Sequence, residues 1–335
     1  MIVTEIYNGQ GFGNQLWCYA TTRVIAIKHN YQFGIMHPEK FKGHDFLDLD
    51  FGSAVIGGRG PEGGPPFSLP LGIKYYYLEN EIKHPVSKAD IRIYDKNLVN
   101  IPDNTKIDGV MQDEQYIIDY KEDIRKWFKV KAEHDCFDYS NENICIINFR
   151  GGEYSRHPEL YLRQKYWDDA ISNMKKINKD LKFVVITDDV INAKKFFPDF
   201  DVMHFNIGKD YSIIKNAHYL ILSNSSFAWF PAWLNGDLKY CIAPKYWGRH
   251  NISDGYWSCG YNITTLWHYQ DRDGKLFDYD TCIKEFGDYM ENHKDLFMVK
   301  KTSDLYTFKP NNKFMFFIKK VIFYAGKIKE KILKI

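Results

Sequence analysis

Between residues 145 and 243 the chain alternates short apolar runs with amphipathic stretches, and that alternation constrains its fold more than any other feature. Runs at 145–149, 183–186, 202–205, 219–222 and 240–243 read as strands. They are predominantly apolar, as strands buried on both faces are. The stretches at 166–177, 191–196, 209–216 and 227–234 carry helical spacing. Strand–helix alternation of this kind predicts a parallel sheet covered by helices and connected by right-handed crossovers.

In open α/β sheets ligands bind beyond the carboxyl ends of the strands. Three predicted strand ends carry polar clusters. Arg150 follows the run 145–149 and precedes Gly151 and Gly152. Its guanidinium presents a rigid fork of donors suited to phosphate oxygens, so we expect it to hold the diphosphate of a nucleotide-sugar. Asp188 and Asp189 follow the second strand and can accept from a ribose hydroxyl or a base, or simply cap the next helix. Ser223, Asn224, Ser225 and Ser226 end the fourth. Ser225 and Ser226 open a helix, whose free N–H groups take a phosphate or an ordinary serine cap. Sugar transfer also needs a group that takes the proton of the attacking hydroxyl. Glu153 stands three residues beyond Arg150, either as that base or as an ion-pair partner of Arg150 or Arg156.

The first half opens with a strand at 1–6, a glycine-rich turn at 8–15 and a helix at 16–29. Gly9, Gly11 and Gly13 lie two apart, a partial match to the dinucleotide fingerprint. A second strand is expected at 31–35, a long Gly/Pro-rich loop at 52–72, a short strand at 107–110 and a helix at 115–128. A net charge of +2 points to no nucleic-acid partner. Six scattered cysteines without a C-x-x-C favour a reducing compartment. The first residues show no basic segment followed by an apolar one, so no signal peptide is expected. Asp-x-Asp occurs at 48–50, 199–201, 271–273 and 278–280, never directly after a strand, so no metal site is expected.

Taken in order, these motifs resemble glycosyltransferase family 11, the α-1,2-fucosyltransferases. GQGFGNQLWCYA at 9–20 is similar to the family's G-G-x-G-N-Q-x-F-Q-Y-A. GVMQDEQY followed by DIRKWF resembles G-Y-F-Q-S-E-x-Y…I-R-x-x-F, and ITDD at 186–189 resembles F-S-D-D. SNSSFAWFPAWLN at 223–235 is similar to S-N-S-S-F-S-W-W-A-A-W-L-N, and IAPKYW at 242–247 to I-A-P-x-x-W. The family's H-x-R-R-x-D becomes Asn148-Phe149-Arg150-Gly151-Gly152-Glu153, which keeps only the first arginine. The resemblance implies a GT-B-like α/β fold, two Rossmann-like domains facing across a cleft. It also implies a metal-independent, inverting reaction with GDP-fucose as donor and no cofactor. On it, Phe12, Gly13 and Asn14 approach the donor from the N-terminal domain. Arg150 meets the diphosphate with Asn148 beside it. Asp188 and Asp189 face the nucleoside, and Asn224, Ser225, Ser226 and Phe227 the phosphates. The altered central motif keeps a UDP- or dTDP-sugar donor open, and a non-catalytic glycan-binding protein of this fold is the rival of another class.

The expected organisation is an acceptor-side domain at 1–138, a nucleotide-sugar domain at 139–305 and a tail at 306–335. Residues 311–335 alternate apolar residues with lysines. A basic amphipathic helix of this kind lies at an anionic membrane surface. The expected location is therefore cytoplasmic, peripheral at the inner face of the membrane. A glycan or lipid-linked oligosaccharide is the acceptor such a placement suits.

Overall fold

The computed structural model describes residues 1–60, 66–83, 90–257, 262–295 and 306–307. The tail expected to meet a membrane, 311–335, lies outside them. Among the described residues no helix is long and apolar enough to cross a membrane.

Chain order in the first half is β1 (Ile2–Glu5), α1 (Phe12–Lys28), β2 (Phe33–Met36), a hairpin of β3 (Gly57–Arg59) and β4 (Ser68–Pro70), and β5 (Tyr75–Leu78). A second hairpin, β6 (Glu81–Lys83) with β7 (Asp90–Arg92), precedes β8 (Thr105–Asp108) and α2 (Lys121–Trp127). The second half runs β9 (Ile144–Phe149), α3 (Gln164–Ile177), β10 (Lys182–Thr187), α4 (Val190–Phe196), β11 (Asp201–Met203), α5 (Ile207–Lys215) and β12 (Tyr219–Leu222). It continues with α6 (Ser226–Trp233), β13 (Tyr240–Pro244), β14 (His268–Gln270), β15 (Leu276–Phe277) and α7 (Tyr279–Asn292). A last strand, β16 (Tyr306–Thr307), returns to the first half.

These strands form two main sheets, ordered β16-β5-β8-β1-β2 and β11-β10-β9-β12-β13-β14-β15. Both are parallel except where β16 meets β5 and β15 meets β14. The fold is the expected α/β arrangement of two Rossmann-like halves, with the loops beyond the carboxyl edges of both sheets lining one cavity. From β9 to β13 the second half follows the expected alternation, and β14, β15 and α7 add to it beyond the stretches read from the sequence. Register fixes the centre: β9 lies between β10 and β12, with Ile147 opposite both Val185 and Ile221.

Three expectations for the first half need correction. The helix expected at 115–128 is two 3₁₀ turns, Glu114–Tyr116 and Ile118–Tyr120, followed by the shorter α2. Asp113 accepts from the Gln115 N–H and starts the first turn, and the buried Tyr116 and Ile117 are pulled inward in succession, which breaks the helical period. The loop expected at 52–72 contains the β3–β4 hairpin. Residues 306–307, assigned to the tail, pair with Tyr75 and Tyr76 on the edge of the first sheet.

One continuous core joins the halves. Trp17 of α1 packs on Trp229 and Phe230 of α6, with ring centroids 4.3 and 4.8 Å apart. Aromatic pairs of this kind add to area burial. Across the same boundary Glu114 accepts from the Trp233 indole at 2.5 Å and lies 3.4 Å from the Thr264 hydroxyl. Burial pushes its carboxyl up to about 7, against the lowering effect of the Trp233 hydrogen bond and the Lys121 charge.

Candidate active site

A cavity of about 590 Å³ lies between the carboxyl edges of the two sheets. Of the residues singled out from sequence, Phe12, Gly13, Asn14, Asn148, Arg150, Glu153, Asp188, Asn224, Ser225, Ser226 and Phe227 all line it. Asp189 does not. Its carboxylate caps α4 through the Asn192 N–H at 3.1 Å and takes the Gly152 N–H at 3.1 Å. Burial raises its pKa, but the Asn192 and Gly152 hydrogen bonds outweigh that and leave it lowered.

Arg150 stands at the end of β9, 29% exposed. Its Nη1 meets Asp188 Oδ2 at 2.5 Å, and its Nη2 lies 3.6 Å from Glu153 Oε1. Tyr154 places its ring 5.4 Å from the guanidinium carbon. Asp188 is fixed in turn, its Oδ1 accepting the Gly151 N–H at 3.0 Å. Glu153 is 71% exposed.

This geometry explains why the central motif carries glycines. A Cβ on Gly151 would meet Asp189, and one on Gly152, whose φ is +35°, would overlap the Asp188 carboxylate. The two glycines let backbone N–H groups close on both aspartates. A second arginine at residue 151 has no room in this arrangement.

Beside Arg150, β12 ends in the cap of α6. Ser225 accepts the Phe227 N–H at 3.3 Å and is 3% exposed. The Ala228 N–H goes to the Ser225 carbonyl at 3.1 Å, and the helix dipole makes this an electropositive end suited to an anion. Ser223 donates to Asn148 Oδ1 at 2.8 Å, which fixes Asn148 on the neighbouring strand. Asn224 donates to the Leu160 carbonyl at 2.9 Å, and its buried Oδ1 has no hydrogen-bond partner among the described residues.

The first half closes the cavity from the opposite side. Asn14 Oδ1 accepts from Ser226 Oγ at 2.8 Å and from Gln112 Nε2 at 2.6 Å, tying both halves through one amide. Gly13 sits directly on the start of α6, where a Cβ would overlap the Ser226 carbonyl. Phe12 packs in an aromatic group with Phe41, Phe46, Tyr211 and Phe227. It is 5% exposed.

Sequence reasoning missed several residues of the lining: Tyr7, Lys42, Gln112, His204, Asp210 and Trp247. His204 follows β11, so the same strand-end rule that selected Arg150 reaches it. Asp210 gave no signal, being one more polar residue of a helix. Its Oδ2 holds His204 Nδ1 at 2.8 Å and its Oδ1 accepts the Phe205 N–H at 3.1 Å. Burial raises the Asp210 carboxyl above its ordinary range. No group of three or more His, Cys, Asp or Glu among the described residues has the geometry to hold a metal ion.

The chain was compared with known proteins. No family model matches it. Over 158 residues it is 32% identical to an alpha-1,2-colitosyltransferase of Escherichia coli, covering 42% of this chain and 54% of that protein. Over 125 residues it is 27% identical to the O-antigen biosynthesis glycosyltransferase WbnK of Escherichia coli, covering 33% and 41%. The chain thus spans about half the length of the curated relatives it matches. Among solved structures, fucosyltransferase NodZ from Bradyrhizobium overlaps with a TM-score of 0.37 at 14% identity, covering 70% of this chain and 92% of that one. Arabidopsis thaliana FUT1 in complex with GDP overlaps with a TM-score of 0.38 at 10% identity, covering 72% and 69%. Overlap at that level carries no argument about the site.

Proposed function

We propose that this chain is an inverting glycosyltransferase that moves L-fucose from GDP-fucose to a hydroxyl of a surface glycan such as O-antigen or capsule. The observation that carries the reading is the pairing of Arg150 with the N-terminal end of α6 in one cavity. A guanidinium and the positive end of a helix, following neighbouring strands, neutralise a departing diphosphate without a metal. The names of the two Escherichia coli relatives, a colitosyltransferase and an O-antigen glycosyltransferase, support the same class.

In this reading the donor lies along the second sheet. Arg150, Ser225 and Ser226 take the diphosphate, with Asn148, Asn224 and Phe227 around it. Asp188 holds Arg150 in place and faces the nucleoside. Asp189 acts behind it, fixing Gly152. Phe12, Gly13 and Asn14 close the cavity from the first sheet. Glu153 is the exposed carboxylate nearest the guanidinium and takes the proton of the attacking hydroxyl. The basic segment 311–335 supports a place at an anionic membrane surface, where lipid-linked acceptors are met.

A thermal-shift panel of GDP, UDP, dTDP and CMP, run with and without EDTA, tests this directly. GDP is expected to stabilise the protein most, with no change on chelation. Arg150→Ala should weaken GDP binding by roughly 100-fold, in line with the 2–5 kcal/mol that truncating one partner of a charge-assisted contact costs. Stabilisation by UDP or dTDP alone sinks the choice of donor. Full GDP binding and transfer by Arg150→Ala sinks the mechanism.

A further inference from the structure

Glu79 follows β5 and is 3% exposed. It does not line the cavity. A buried carboxylate is costly unless its oxygens are satisfied. Its Oε2 accepts both the Val110 and the Met111 N–H at 2.8 Å, and its Oε1 accepts from the Tyr116 hydroxyl at 3.2 Å. Arg92 is more distant, with its Nε 3.9 Å from Oε2. Burial raises the Glu79 pKa, against the lowering effect of these hydrogen bonds and of the Arg92 charge. The position therefore demands an acceptor oxygen more than it demands a negative charge.

The turn that Glu79 holds is one the chain does not adopt readily. Met111 is fully buried with φ +53°, in the left-handed region. A non-glycine residue keeps such backbone only where its surroundings impose it. Residue 109 has to be glycine for the two strand ends to meet, because a Cβ there would overlap the Glu79 Cβ. From the other side α1 gives longer contacts, the Thr21 hydroxyl to the Met111 carbonyl at 3.4 Å and the Cys18 thiol to the Gly109 carbonyl at 3.5 Å. Val110, inside the turn, and Gln112, directly after it, both line the cavity. Gln112 then donates to Asn14 Oδ1 at 2.6 Å, and the same oxygen accepts from Ser226 at the start of α6. A chain of directed contacts thus runs from Glu79 through the turn and two amides to the end of the helix that faces the donor.

We propose that Glu79 is a positioning residue for sugar transfer: by accepting the Val110 and Met111 N–H groups it sets the turn that presents Gln112 to Asn14, and so aligns the closing wall over the bound donor. The inference rests on the transferase reading above. Glu79 itself touches neither donor nor acceptor. Its reach is what matters, and two variants separate reach from charge. Glu79→Gln keeps an oxygen at the same reach and drops the charge. Glu79→Asp keeps the charge and withdraws the oxygens by one methylene.

Hydrolysis of GDP-fucose by the full chain, followed as released GDP, tests this together with amide hydrogen exchange. Glu79→Gln should turn over like the wild type. Glu79→Asp should lower kcat by about 10-fold or more, as a misplaced positioning group does, while the donor KM and the GDP thermal shift stay close to wild type. A retained GDP shift shows that the variant is folded, so the fall is not a smaller folded fraction. Exchange at residues 110–112 and 13–15 should quicken in Glu79→Asp and not in Glu79→Gln. Wild-type turnover by Glu79→Asp overturns the proposal. So does a Gln variant more impaired than the Asp one, which would make Glu79 a charge partner of Arg92. If Glu79→Asp does not fold, Tyr116→Phe, which releases the carboxylate's other oxygen and leaves its charge, takes its place with the same expected split. Absence of a GDP shift or of turnover in the wild type strikes the transferase reading instead. The exchange pattern then decides on the turn: quickening that stops short of residues 13–15 would overturn the link.

Discussion

The two walls of the central cavity are built from different chemistry. The wall from the second sheet holds fixed charge: Arg150 against Asp188, and the capped start of α6 beside them. The wall from the first sheet is mostly neutral: a glycine-rich turn, the Asn14 amide and the Phe12 ring, with Lys42 its charged exception. One wall can hold an anion by itself, whereas the other acts by closing on what is held. The first wall needs geometry rather than charge, and its glycine is where that geometry is most exposed to challenge.

Gly13→Ala should break the comparison outright. The added methyl overlaps backbone of Ser226, which has no flexible end to swing away. Overpacking against backbone should cost about 3 kcal/mol, the upper end of the usual range. The midpoint of denaturant unfolding should fall accordingly, and transfer should fall more than GDP binding. A variant with unchanged stability and turnover would mean that the walls do not need to touch.

Glu114 sharpens the comparison at the opposite end of α6, where the halves are also joined. Its folded pKa of about 7 lies above its ordinary value of 4.5. The stability it contributes is therefore complete below pH 4.5 and is lost as pH rises through 7. Between pH 5 and 8 this loss should amount to about 2 kcal/mol. Glu114→Gln keeps an acceptor for the Trp233 indole but carries no charge. The variant's stability should lack this component of the fall, and above pH 7 it should be the more stable protein. Parallel pH profiles for the two proteins would show that Glu114 does not titrate in this range.

The same contrast explains what could be read from the sequence. In the second sheet β9, β10 and β12 were legible because each is an apolar, buried run that ends in a polar cluster, whereas β14 and β15 gave no such signal. Arg150, Asp188 and Ser225 followed from the strand-end rule alone. The first half hid more. Its crossover between β2 and β5 is a hairpin rather than a helix, so no period announced it. Tyr116 and Ile117 are both buried, which conceals the 3₁₀ turns inside an apparently helical stretch. Gln112 was visible as part of a motif, but its bond to Asn14 joins residues 98 apart. Asp189 looked equivalent to Asp188 in sequence. Only the fold of the Gly151–Gly152 turn separates the one that meets Arg150 from the one that caps α4.

The smallest expected effect concerns a polar contact between the walls. Ser226 Oγ donates to Asn14 Oδ1 at 2.8 Å, and Gln112 holds the same oxygen from the other side. Without ligand, a cycle of Ser226→Ala, Asn14→Ala and the double variant should give a coupling of about 1 kcal/mol, the net worth of one hydrogen bond. Saturating GDP should lower that coupling, because the Ser226 hydroxyl is at the start of α6 and can turn to a phosphate oxygen. The wall that closes would then sense occupancy of the wall that binds through one shared proton donor. A coupling that GDP leaves unchanged would mean that the contact is only a strut, with the phosphate held by Arg150 and the backbone alone.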